Sequence, residues 1–240
     1  MMFTHNSNGN FCPISLSDLA RSAEKANHYL AKIPEILGSN TNQFYSSLNQ
    51  RNISGFVGEV LKHAIHATDQ NFFPNPHPDG RPDLLNLSDP SVRHYFESTC
   101  YDTASLRPIR EHLAPFRHGG VEIKCTIGDI RTASSYGIGQ PRQAAITNLT
   151  YWAHHAHACD LLGCYYDFCP QTHGSPQIKA IFFARLDQSD WNKVSVGKSD
   201  KKKTSNTATN SLGKAKIKSG CLIYQDSHKD CLIRLGVKIS

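Results

Sequence analysis

Apolar residues along the chain fall into two periods, three-to-four and two, and the switches between them predict its elements. Over residues 15–37, Leu19, Ala23, Ala26, Leu30, Ile33 and Leu37 repeat at helical spacing, and Ser17 suits the N-cap. Pro34 is expected to kink or split the last turns of that helix. A second helix is expected over 54–68, "SGFVGEVLKHAIHAT", with Phe56, Val60, Leu61, Ala64 and Ile65 on its apolar face. The run "NFFPNPHPDGRPD" excludes a helix or central strand and leads into a short strand candidate, "PDLLNL". A short helix is expected around 90–97, then the strand "VEIKCTI", then a Gly/Ser-rich loop over 128–140. Residues 141–162 read as a long helix, with Pro141 in its first turn and Gly163 as its stop. "CYYDFC", "IKAIFFARL", "CLIYQD" and "CLIRLGVKI" complete the strand candidates. Helices first, then a mixed sheet with helices interleaved, is an α/β or α+β core.

The strand "GGVEIKCT" is unusual in what it alternates. Val121, Ile123 and Cys125 point one way; Glu122, Lys124 and Thr126 point the other. Taken alone, this is an amphipathic strand with a solvated ion pair. Upstream, however, Asp83 follows Pro82 at the start of another strand candidate. Two carboxylates on neighbouring strands suit a hard divalent cation, which leaves its remaining positions to water and phosphate oxygens. A lysine on the same face can orient or deprotonate an attacking water and offset charge developing on a phosphate. Asp79, in "HPDG", also follows a proline and is the alternative first acid.

Pro82-Asp83 and Glu122-Ile123-Lys124 resemble the motif of the PD-(D/E)xK nuclease family, and the resemblance covers about residues 54–185. It implies a restriction-endonuclease-like core, a central mixed β-sheet flanked by helices, within a single domain spanning 1–240. Residues 1–53 would form an N-terminal helical part, 54–185 the catalytic core, and 197–220 a basic flexible arm or loop. By the same resemblance Asp83, Glu122 and the backbone carbonyl of Ile123 hold Mg²⁺, with Mn²⁺ as a substitute, and Lys124 positions the water. Glu59, in "GFVGE", matches the acid many members carry on a preceding helix, with Gly55 and Gly58 permitting close approach. Size and self-containment look most like a type II restriction endonuclease. That class implies double-stranded DNA as substrate, 5′-phosphate products, a homodimer, a cognate DNA methyltransferase that protects host DNA, and a prokaryotic cytoplasm. The rivals are a structure-specific repair or junction-resolving nuclease on the same fold and a DNA-binding module without catalysis.

Composition adjusts this picture only slightly. The 240 residues are 39% hydrophobic and 19% charged, an ordinary globular balance. No apolar run reaches membrane-spanning length, and the N-terminus lacks the basic and apolar regions of a secretory signal, so cytoplasm and no membrane partner are expected. Eight cysteines in apolar runs read as free thiols. The net charge of +6 suits a polyanion without requiring one. Lys198, Lys201, Lys202, Lys203, Lys214, Lys216 and Lys218 crowd a stretch poor in apolar residues, read as an arm on the DNA backbone over a plain solvated loop. Arg131, Ser134, Ser135, Tyr136, Gln140 and Arg142 offer the donors that base edges require. His154, His155, His157, Cys159, Cys164, Cys169 and His173 fit zinc poorly, because the cysteine spacing is not that of paired ligands. Core thiols and surface imidazoles are expected instead. His63 and His66 follow Glu59 on its helix, with a solvated face as the ordinary reading.

Overall fold

The computed structural model describes residues 2–7, 11–130, 136–153, 160–172, 174–196 and 205–239. In chain order its elements are β1 (Thr4–His5), α1 (Leu16–Ile36), α2 (Thr41–Ser46), α3 (Gln50–His66), β2 (Phe72–Pro74) and β3 (Leu84–Asn86). Next come α4 (Pro90–Thr99), α5 (Arg110–Leu113), β4 (Gly120–Thr126), β5 (Asp129–Ile130), β6 (Ile146–Asn148), β7 (Trp152–Ala153) and β8 (Asp160–Cys169). The last are β9 (Ser175–Arg185), β10 (Ser195–Val196), β11 (Ser205–Ala208), α6 (Ser211–Ser219), β12 (Cys221–Tyr224) and α7 (Lys229–Arg234).

Seven strands form one mixed sheet in the order β1-β12-β9-β8-β4-β3-β2. β4 pairs with β8 in parallel, and the other neighbours are antiparallel. Helices α1 and α3 cover one face, where Leu19, Leu30, Val57 and Leu61 meet Ile123, Leu162 and Ile181. The opposite face is closed by α6 and α7, through Ile217, Cys231 and Leu232 against Leu161, Tyr165 and Phe182. A mixed sheet flanked by helices is thus present. Among the described residues, no helix is long and apolar enough to cross a membrane.

Caps set the two helices of the first face. The Ser15 hydroxyl, not that of Ser17, accepts from the Asp18 N–H at 3.1 Å and starts α1. That helix runs on through Pro34, which is buried. The Asn49 side chain accepts from the Asn52 N–H at 2.9 Å and starts α3 at Gln50, one turn before the apolar stripe begins.

Three expected elements are replaced. Residues 141–162 are not a helix: the described part holds β6, β7 and the start of β8. β8 is buried along nearly its whole length on both faces, so its sequence lacks the alternation that marks a half-exposed strand. Gly163 stops no helix. It sits mid-strand where a Cβ would lie 2.9 Å from the Tyr151 ring, and the absent side chain admits that ring. "CLIRLGVKI" forms α7 rather than a strand. Cys231 and Leu232 turn inward, and Gly236, at φ 80°, ends the helix in the left-handed conformation glycine favours. The described part of the lysine-rich stretch is no loop either: it holds β11 and α6, the latter capped by the Asn210 side chain on the Leu212 and Gly213 N–H groups.

Residues 88–118 fold beside the sheet around Leu85, Leu87, Phe96, Cys100, Leu113 and Phe116. The Arg81 N–H donates to the Leu113 carbonyl at 3.0 Å, and the Phe116 N–H donates to the Arg81 carbonyl at 2.7 Å. This lateral excursion leaves β3 and β4 free to pair directly.

Candidate active site

The site grows from the point where β3 stops pairing with β4. Leu84 lies opposite Val121 and Leu85 opposite Gly120. The chain bends at residues 81–83 and turns the Pro82 ring toward Gly120, so the ladder ends at the Leu84–Val121 rung. The Asp83 carboxylate takes over: its Oδ2 accepts from the Ile123 N–H at 2.8 Å. In an extended strand the N–H and carbonyl of one residue face the same edge. The Ile123 carbonyl therefore also faces the Asp83 side.

Lys124 joins the two acids. Its Nζ lies 2.7 Å from Glu122 Oε1 and 3.8 Å from Asp83 Oδ2. The ion pair is not a solvated face, because the Glu122 side chain is only 8% exposed and that of Lys124 only 24%. Burial and the neighbouring Glu122 charge push the Asp83 carboxyl up to about 6, against the opposing pull of Lys124 and the Ile123 hydrogen bond. Burial works against the charge on Lys124, but Glu122 and Asp83 together outweigh it and hold the ammonium above its ordinary value. Lys124 is thus a firmly protonated donor in this arrangement.

A cleft of about 560 Å³ opens over this edge. Asp83 and Lys124 form part of its wall, α3 supplies Arg51, Gly55 and Glu59 together with Lys62, and Trp152 stands across from them on β7. α3 lies close to β4 because Gly58 faces it; a Cβ there would be 3.5 Å from Cys125 Sγ. Asp79 is elsewhere, exposed and 3.7 Å from Arg110, so Asp83 is the acid that meets Glu122 and Lys124. Glu59 lines the cleft, but its Oε2 lies 2.7 Å from Lys62 Nζ and its side chain is 59% exposed. His63 is exposed on α3, and His66 Nδ1 pairs with the Phe72 carbonyl at 2.9 Å.

The chain matches no family model, no curated protein and no solved structure.

The donor set fits a divalent cation. Two carboxylates meet at Lys124 beside the Ile123 carbonyl, burial and the neighbouring charge oppose ionisation of Asp83, and a dication would relieve that repulsion. Among the described residues no group of three or more His, Cys, Asp or Glu could hold a metal. A cation here would draw its remaining ligands from water and substrate.

The other residues singled out in the sequence are dispersed. Arg131, Ser134, Ser135, Lys198, Lys201, Lys202 and Lys203 lie outside the described residues, as do His154, His155, His157, Cys159 and His173. Arg142 is 5% exposed; its guanidinium donates to Gln50 Oε1 at 3.1 Å and to the Tyr136 carbonyl at 3.2 Å. Gln140 accepts from the Gly137 N–H at 3.2 Å. Lys214, Lys216 and Lys218 sit on α6, and Lys216 lies 2.6 Å from the buried Asp190 and 3.2 Å from Asp187. Cys164 and Cys169 are buried in β8 as free thiols.

Sequence reasoning missed Arg51, Lys62 and Trp152. Arg51 and Lys62 were legible in principle. Positions 51, 55, 58 and 62 share one helical stripe, which appears once the helix is started at Asn49.

Proposed function

We propose that this chain is a metal-dependent DNA endonuclease of the type II restriction class, hydrolysing phosphodiesters to leave 5′-phosphates. The observation that carries this reading is the meeting of Asp83, Glu122 and Lys124 past the last β3–β4 rung, where Asp83 and Lys124 line a cleft together with Arg51 and Lys62. Asp83, Glu122 and the Ile123 carbonyl are the residues that would hold Mg²⁺ or Mn²⁺. When bound, the cation would acidify water and offset charge on the phosphate. Lys124, kept protonated by the two acids, donates to the attacking water and fixes its direction of approach. Its charge also offsets the negative charge that develops on the phosphate oxygens.

Cutting both strands of a palindrome calls for two sites, and hence a two-fold dimer. Helix α1 is the candidate surface, since Tyr29, Ile36 and Leu37 are exposed along it. A type II enzyme further implies a partner methyltransferase and a prokaryotic cytoplasm. The test is incubation of bacteriophage DNA and of branched synthetic DNA with Mg²⁺, followed by a gel. Discrete bands from phage DNA support the reading. Cleavage of branched DNA alone moves the assignment to a structure-specific nuclease, and no cleavage of either substrate sinks it.

A further inference from the structure

Lys62, with Arg51, is a cation of the cleft that the motif does not account for. Its side chain is only 14% exposed, although it sits on a helix surface, and its ion-pair partner, Glu59, is itself 59% exposed. An i,i+3 pair with an exposed acid is worth a few tenths of a kcal/mol on a helix, too little to explain a lysine held in a groove. The groove it lines also holds Asp83 and Lys124, so two lysines share it with that acid, one from α3 and one from β4. Between Arg51 and Lys62 the wall is Gly55 and Gly58, and a Cβ at Gly55 would meet nothing within 4 Å. A phosphate chain can therefore come close to the helix backbone between two cations.

We propose that Lys62 binds a non-bridging phosphate oxygen of the nucleic-acid substrate, opposite Lys124 across the cleft, and that Glu59 is its counter-ion rather than a ligand of the cation. In the free protein Glu59 neutralises Lys62; on binding, the phosphate takes the place of that exposed carboxylate. This assignment rests on the nuclease reading and adds to it the group that grips the backbone next to the acids.

The test compares Lys62→Met, Lys62→Arg and Glu59→Gln with the wild type. Three quantities are measured: duplex binding in Ca²⁺ across a salt series, cleavage in Mg²⁺, and the Mg²⁺ concentration giving half-maximal rate. Lys62→Met is expected to weaken binding at least tenfold and to flatten the log-log salt slope by about 0.9, the share of one neutralised phosphate. Lys62→Arg restores most of both. Glu59→Gln leaves the Mg²⁺ requirement within about twofold. Gly55→Leu, which projects into the open cleft, should fold and melt normally yet bind poorly. An unchanged salt slope in Lys62→Met, with wild-type cleavage, overturns the assignment while leaving the nuclease reading intact. A tenfold shift in Mg²⁺ requirement in Glu59→Gln overturns the counter-ion role. A wild type that neither binds nor cleaves any DNA overturns the nuclease reading, and this inference with it.

Discussion

The Asp83 carboxylate accepts from the Ile123 N–H at 2.8 Å, just past the last β3–β4 rung, where Leu84 lies opposite Val121. The same hydrogen bond that ends the β3–β4 ladder thus fixes the first acid beside the second. Glu122 and Lys124 follow from the pleat of β4, and Asp83 from the register of its neighbour. The site is therefore set by strand pairing and survives a long excursion between the two strands, because residues 88–118 are tied back at Arg81.

Asp83 should cost stability in the metal-free protein at neutral pH. Its folded value, about 6, lies above the ordinary 3.8, so between those values the folded state binds more protons than the unfolded one. The stabilising effect of that proton is complete below about pH 4 and is lost as pH rises through about 6. Asp83→Asn is expected to raise metal-free stability by about 1–2 kcal/mol at pH 8, and by little near pH 4, given about 1.4 kcal/mol per pKa unit and partial exposure of the group. Millimolar Mg²⁺ should raise the melting temperature of the wild type and not of the variant. Parallel melting curves at the two pH values would contradict the burial account.

Lys124→Met is expected to abolish cleavage and also to destabilise the fold. It strands Glu122, whose side chain is 8% exposed and whose partner at 2.7 Å is this lysine. Breaking one side of a buried pair costs about 3–5 kcal/mol, here discounted to roughly 2–3 because Lys124 is partly exposed. The double change Glu122→Gln with Lys124→Met should recover most of that loss. Thermal or urea melts of the four proteins in the cycle give the coupling directly. A double variant no more stable than Lys124→Met alone would mean that the ion pair is not what holds this edge.

How far the fold could be read from the sequence depended on exposure. β4 was legible because one face carries Glu122 and Lys124; of β8, "CYYDFC" over 164–169 was read as a strand, but its apolar start at 160–162 passed for the end of a helix. α7 was hidden for a related reason: six residues with Cys231 and Leu232 inward are too few to display a helical period. Of the candidate site, the shared face of Glu122 and Lys124 was fixed by spacing. The choice between Asp83 and Asp79 was not, because it turns on a pairing made across residues 84–121. Lys62 escaped notice because a lysine beside a glutamate reads as surface until the depth of the cleft is known.

Arg142 and Arg131 should behave differently when removed. Arg142 is buried: its guanidinium ties Gln50 to the Tyr136 carbonyl, and its N–H is held by the Asp167 carboxylate at 2.9 and 3.0 Å. Arg142→Ala should lower stability by about 1–3 kcal/mol through acceptors left unpaired, and lower activity on every sequence alike. Arg131→Ala, if that side chain reads a guanine, should relax discrimination at one base by about 1–3 kcal/mol and leave the melt unchanged. Cleavage of the cognate site against all its single-base variants, at fixed salt, separates the two. A changed ranking in Arg142→Ala with an unchanged melt would reverse these roles.

The lysines of residues 198–218 should divide in the same way. Lys216 is committed to Asp190 at 2.6 Å, and that carboxylate is 1% exposed with its second oxygen, Oδ1, unpartnered. Removing Lys216 leaves a buried charge without its counter-ion, so Lys216→Ala should lower the melting temperature. Because the lysine already has partners inside the fold, the same change should move the salt dependence of DNA binding little. Replacing Lys201, Lys202 and Lys203 together should do the reverse. The melt should stay where it is, cognate and non-cognate DNA should both bind more weakly by a similar factor, and the log-log salt slope should flatten by about 0.9 for each phosphate no longer neutralised. Filter binding of one cognate and one unrelated duplex between 50 and 200 mM salt, on the order of the range where such slopes are resolved, measures both quantities at once. A triple variant with the wild-type slope would mean that these three lysines are solvated surface, and the grip on the backbone would then have to come from the cleft cations Arg51, Lys62 and Lys124.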